Sequence, residues 1–208
     1  MKLGLTVREE EGKYFVKKRY LEYFAEFDIV FIYPYNITYA CAQCDGFAIL
    51  GGDDANPNLY GQNNHNSKGV NDEIDKLDLD VIEYAIKNEK PLFGICRGMQ
   101  MINIFFKGTL KQNIFNHINS SHKIILINNL EGFPDSVETN SFHHQSVDKL
   151  GFDLIPIYYS MDGELEVLIG AKNPVIATQF HPEIILENEF HYQFIRYFKS
   201  LFKSKKQT

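Results

Sequence analysis

Continuous apolar runs alternate with stretches of helical periodicity through the first half of this chain. Lys2–Val7 reads as a first buried strand, Ile29–Tyr33, Gly46–Leu50 and Pro91–Ile95 are apolar runs, and none of them alternates. Such runs suit parallel strands covered on both faces. Between them, Lys17–Phe27 repeats apolar residues at helical spacing, with Tyr20, Leu21, Phe24 and Phe27 inward. Ile37–Cys44 reads as a short helix. Asp72–Lys87 is a clear helix with Leu77, Val81, Ile82, Ala85 and Ile86 on one side, and Gly98–Phe106 is another. This alternation predicts a doubly wound, mostly parallel α/β sheet flanked by helices.

The second half is richer in β signals. Lys123–Ile127, Leu154–Tyr159, Glu166–Ile169 and Val175–Phe180 read as strands, with Asp162-Gly163 as a hairpin turn. Glu189–Phe202 closes the chain as an amphipathic helix. Asp53–Val70, rich in Asn, Gly, Asp and Pro, is a loop long enough to suggest function. No repeat or low-complexity tract interrupts the pattern.

Composition changes this picture little. The 208 residues are 44% hydrophobic, which predicts one domain over residues 1–208. The formal net charge is -6, so neither nucleic acid nor an anionic membrane is an expected partner. The cluster of Lys203, Lys205 and Lys206 reads as a solvated helix end. No apolar run is long enough to span a bilayer. The start of the chain lacks a signal-peptide pattern, and the cysteine count is odd, at three, so the expectation is a cytoplasmic protein with reduced thiols. The 17 Phe and 12 Tyr can fill a core or furnish a homodimer surface.

The chemistry concentrates at Leu92-Phe-Gly-Ile-Cys-Arg-Gly-Met-Gln100. Cys96 falls at a sharp strand-to-helix turn, with Gly94 and Gly98 allowing a tight turn and close approach. A helix N-terminus directly behind it favours an anion there. A cysteine nucleophile needs a base and a group to orient that base. His181 in Thr178-Gln-Phe-His-Pro-Glu183 follows an apolar run, so it belongs at the carboxyl end of a strand, where open α/β sheets place their sites. Glu183 can reach back past Pro182 to fix the imidazole, completing a Cys-His-Glu triad. His143 and His144 also raise a metal reading. Adjacent residues of a strand cannot readily aim both rings at one ion, so neither metal nor other cofactor is expected. Cys41-Ala-Gln-Cys44 lacks a second pair, and two buried structural thiols are the expected answer.

Both motifs resemble the class I glutamine amidotransferase-like superfamily. Three further stretches resemble its γ-glutamyl-γ-aminobutyrate hydrolase family, of the peptidase C26 type. These are Gly51-Gly-Asp-Asp-Ala-Asn-Pro-Asn-Leu-Tyr-Gly61, Gly108-Thr-Leu-Lys-Gln-Asn-Ile114 and Asn140-Ser-Phe-His-His-Gln-Ser-Val147. The resemblance implies a flavodoxin-like fold and a small-molecule γ-glutamyl amide as substrate. Cys96 would form a γ-glutamyl thioester, with Gly52 and Arg97 N–H groups as the oxyanion hole. Gln100, Asn140, Ser141, His143 and His144 would line the glutamyl pocket. Ile74, Lys107, Lys111, Asn113 and Phe180 depart from the family pattern and leave the amine open. Two other functions compete. One is an amidotransferase subunit that supplies ammonia to a partner synthetase, or an aminated precursor for surface-polysaccharide synthesis. The other is a non-catalytic regulatory family member.

Overall fold

A computed structural model describes residues 1–186 and 188–202; the expected Lys203, Lys205 and Lys206 cluster lies outside them. The main sheet has nine strands. Five of them, β1 (Lys2–Thr6), β4 (Asp28–Ile32), β5 (Gly46–Ile49), β6 (Leu92–Ile95) and β13 (Val175–Thr178), are parallel in the order β4-β1-β5-β6-β13. From β13 the sheet continues antiparallel through β12 (Leu165–Gly170), β11 (Leu154–Ser160), β8 (Ser120–Leu126) and β9 (Ser136–Ser141). This is the α/β sheet with a β-rich second half that the sequence predicts.

Helices cover both faces of the parallel half. On one face lie α2 (Ile37–Gln43), α3 (Asp72–Lys87) and α4 (Arg97–Phe105); on the other lie α1 (Lys18–Tyr23) and α5 (Glu189–Leu201). The strands therefore feed two cores at once. Phe47 and Ile49 of β5 pack under α3 and α4, while Ala48 and Leu50 face the α1 and α5 side. That double burial is why these strands read as unbroken apolar runs.

The helices start where their caps allow. Asn71 accepts hydrogen bonds from the Glu73 and Ile74 N–H groups, and Asp72, Glu73 and Asp75 follow in the first turn. Helix α1 is shorter than expected, ending at Tyr23, although Phe24 and Phe27 still bury beyond it. Two strand pairs escape the apolar pattern. One is β2 (Arg8–Glu10) with β3 (Lys13–Phe15), joined through Glu11 and Gly12, both at positive φ. The other is β7 (Thr109–Lys111) with β10 (Ser146–Lys149). Both are short and polar, so no periodic signal marks them. Within the predicted loop 53–70 a single 3-10 turn forms at Pro57–Tyr60. Among the described residues, no helix is long and apolar enough to cross a membrane.

Candidate active site

Three neighbouring strands deliver the candidate residues to one edge. Ile49 of β5 stands beside Gly94, and Ile95 of β6 beside Thr178 of β13. The residues that follow each strand, Gly51-Gly52, Cys96 and Gln179 to His181, therefore emerge together at the carboxyl edge. Gly51 packs against both His181 and Cys96. A Cβ there would lie 2.9 Å from His181 Cε1 and 3.6 Å from Cys96 Cβ.

Cys96 adopts φ 52° and ψ -107°, a conformation L-residues rarely occupy. Such strain costs on the order of 1–3 kcal/mol and persists only where the surroundings enforce it. Here the Cys96 N–H donates to Thr178 O at 2.7 Å, and its carbonyl accepts from Met99 N at 3.0 Å as α4 begins. Gly98 makes the turn possible. A Cβ on it would lie 2.0 Å from the Ile49 carbonyl oxygen, so α4 could not seat against β5.

His181 Nδ1 lies 2.6 Å from Glu183 Oε1, and both side chains are largely buried. Burial works against an imidazolium at His181. Interaction with the Cys96 sulfur and then with Glu183 outweighs it and raises the His181 pKa from 6.5 to about 10. Arg97 is the first residue of α4, so its N–H is a free helix-end donor beside Cys96. Gly52 faces the same cleft.

A buried charge network holds the glycine loop. Arg8 donates from Nε to Gly51 O at 2.8 Å and from Nη2 to Leu50 O, and pairs with Asp78 Oδ1 at 3.1 Å. The Arg97 guanidinium pairs with both Asp75 and Asp78. Tyr20 Oη accepts from Gly51 N at 3.1 Å. Two guanidinium groups and two carboxylates thus balance inside the protein. Sequence reading missed Arg8, Tyr20, Asp75 and Asp78. The acids were detectable as Asp75 and Asp78 interrupting the apolar face of α3.

The cleft beside Cys96 has a volume of about 730 Å³ and includes Arg8, Tyr20, Asp54, Phe142 and His181 in its walls. None of the five residues expected to line a glutamyl pocket is among them. Asn140 instead clamps the His181 backbone, donating from Nδ2 to its O at 2.8 Å and accepting from its N at 2.9 Å. Gln100 Nε2 donates to Gln145 O and Gln179 Oε1, each at 3.2 Å. Ser141 Oγ donates to His117 O at 2.7 Å. His143 Nδ1 bonds Gln145 O at 2.9 Å, and His144 Nε2 bonds Asp54 Oδ2 at 2.8 Å. Two unpredicted residues do reach the centre. Gln179 Nε2 lies 3.6 Å from Cys96 Sγ. The half-exposed Phe142 ring stands edge-on to His181, with ring centroids 6.0 Å apart. Side chains alternate direction along an extended segment, which explains why Phe142 faces the cleft while Ser141 and His143 face inward.

Cys41 and Cys44 are buried free thiols. Burial pushes them up to about 12 and about 11, respectively.

Comparison with known proteins agrees with this architecture. A glutamine amidotransferase-like protein of Lactococcus lactis is 33% identical over 170 residues, covering 74% of this chain and 72% of its own. The γ-glutamyl-CDP-amidate hydrolase of Campylobacter jejuni is 29% identical over 109 residues, covering 52% of this chain and 50% of its own. The solved structure of a glutamine amidotransferase from Thermotoga maritima covers the whole chain, and 86% of that chain is matched, with a TM-score of 0.65 at 16% identity. That likeness is one of fold. The peptidase C26 family model matches residues 6–183. The chain therefore belongs to the peptidase C26 family, within the class I glutamine amidotransferase-like superfamily.

Proposed function

We propose that the protein hydrolyses the γ-glutamyl amide bond of an N-substituted, glutamine-type small molecule. The observation that carries this is Cys96 on a strained elbow beside an imidazole whose Nδ1 is held by Glu183 at 2.6 Å. Cys96 Sγ attacks the γ-carbonyl and forms a tetrahedral oxyanion. The Gly52 and Arg97 N–H groups stabilise it, each such preorganised donor contributing ~3 kcal/mol. The amide C–N bond then breaks, and the amine leaves with a proton from His181. Water attacks the resulting γ-glutamyl thioester, its proton passing to His181, and glutamate leaves as the Cys96 thiolate reforms. Glu183 holds the imidazole orientation and balances its charge.

The cleft volume of about 730 Å³ is in the range of sites for drug-sized ligands, which leaves room for a substituent on the leaving nitrogen. The named activity of the Campylobacter jejuni relative supports the same bond type. The rival is an ammonia-supplying amidotransferase subunit. Resemblance to one subunit of the glutamine-hydrolysing GMP synthase of Thermoplasma volcanium, 27% identical over 119 residues, favours it.

Glutamate release by the purified protein alone separates the two. N-substituted γ-glutamyl amides should be cleaved and free glutamine turned over more slowly. Activity on glutamine only, and only with a partner synthetase added, would overturn the hydrolase reading. Absence of any Cys96 adduct with an azaserine-type diazo ketone would favour a non-catalytic protein.

A further inference from the structure

A second cluster of ionisable side chains lies in the antiparallel half of the sheet, apart from the Cys96 cleft. It comprises His117, His122 on β8, His143 before β10, and Glu166 on β12. Glu166 is fully buried. Its Oε1 lies 3.7 Å from His117 Nδ1, 3.0 Å from His122 Nε2 and 3.6 Å from His143 Nε2. His117 Nδ1 and His143 Nε2 are 3.3 Å apart. The His122 approach is close but unaligned. Neither Glu166 oxygen and neither His122 ring nitrogen makes a hydrogen bond among the described residues.

The outer hydrogen bonds fix which ring atoms carry hydrogen. His143 Nδ1 faces the Gln145 carbonyl at 2.9 Å, which can only accept, so the hydrogen of the neutral ring sits there. His117 Nε2 faces the Asp162 carboxylate at 3.0 Å and takes its hydrogen for the same reason. Ser141 Oγ is 3.3 Å from His117 Nδ1 but gives its own hydrogen to the His117 carbonyl. With neutral rings, His117 Nδ1, His143 Nε2 and Glu166 Oε1 therefore turn bare lone pairs toward one point. Buried acceptors facing one another repel, and a cation between them removes that cost.

We propose that this cluster is a divalent-metal site of the zinc type, with Glu166, His117 and His143 as ligands and His122 at its margin. A tetrahedral ion with bonds near 2.0–2.1 Å separates its ligand atoms by roughly 3.3 Å. The observed separations of 3.3, 3.6 and 3.7 Å need only small closures. The carboxylate on His117 and the carbonyl on His143 are the outer partners that metal-bound imidazoles generally have. Sequence reasoning expected no metal because it paired His143 with His144. The fold sends His144 to Asp54 and supplies His117, His122 and Glu166 from other segments. An ion here would tie β12 to the segments that lead into β8 and β10. It would also brace the Cys96 edge, because the Gln179 N–H donates to the Glu166 carbonyl at 2.8 Å.

The test is cobalt(II) titration of the tag-free, chelator-treated full chain, read by visible absorption. The expected result is about one equivalent bound with the intense bands of tetrahedral cobalt and no thiolate charge-transfer band. Zinc should displace it. Glu166→Gln and His143→Ala should each weaken uptake about tenfold or more. His122→Gln, at the margin of the site, covers the case in which the buried substitutions fail to fold, and it should alter the band positions. No tetrahedral spectrum from the wild-type chain would overturn the proposal. A thiolate band, or unchanged uptake and spectrum in folded variants, would overturn it equally.

Discussion

Cys96 is held in place by its neighbours rather than by its own preference. The Cys96 N–H on Thr178 O and the glycines on either side fix a φ of 52° that a free chain would avoid. Cys96→Ala should therefore fold normally and lose thioester formation, checked by mass spectrometry after mixing with substrate. The His181 imidazole carries the pH dependence. In the proposed reaction its proton goes to the leaving amine, and its pKa is raised to about 10, so it stays protonated until the pH nears that value. The alkaline limb of kcat/KM should lie near pH 10 rather than near 6.5. In Glu183→Gln, one of the groups that raise this pKa is gone, and the limb should move to lower pH. A limb that stays in place would separate Glu183 from the imidazole. Asn140 acts one step further out, on the His181 backbone. Asn140→Ala should lower kcat by about a hundredfold with a smaller change in KM, as expected when a reacting group is misplaced by about 1 Å.

Elements meet at the site through contacts that tolerate little change. Gly98 lets α4 rest on β5, and a methyl group there would meet the Ile49 carbonyl. Gly98→Ala should destabilise the protein by about 3 kcal/mol, read as a lowered denaturation midpoint, since overpacking of a tight contact costs about this much. Helix α3 contributes Asp78, which faces both Arg8 and Arg97. Asp78→Asn leaves the two guanidinium groups with one carboxylate between them. Removing one partner from a buried charge set costs about 3–5 kcal/mol, and urea unfolding should show that loss. Arg8 also bonds the Leu50 and Gly51 carbonyls, so the same variant should loosen the glycine loop and lower activity.

For the whole molecule, the fold sorts three cysteines that the sequence leaves nearly equivalent. Cys41 lies on the buried side of α2 and Cys44 caps its C-terminal end, and burial pushes them to about 12 and about 11, whereas Cys96 opens onto the cleft. A small alkylating reagent at neutral pH should modify one thiol in the native protein, none in Cys96→Ala, and all three after denaturation. Rapid modification of Cys41 or Cys44 in the native state would contradict the fold.

The sequence by itself determined the parallel half of the sheet and the Cys-His-Glu candidates. Doubly buried strands must be apolar along their whole length, and a turn as tight as the one at Cys96 requires glycines on both sides. These are local demands, and local composition records them. The short polar strands β2, β3, β7 and β10 left no such record, because their pairing depends on distant partners. Only the tertiary structure decided that Asn140 grips the His181 backbone, that Gln179 touches the sulfur, and that His143 and His144 part company. Each of these follows from which face of an extended segment meets which neighbour, and that is set by strand order and register between segments distant in the chain, as with Asn140 and His181.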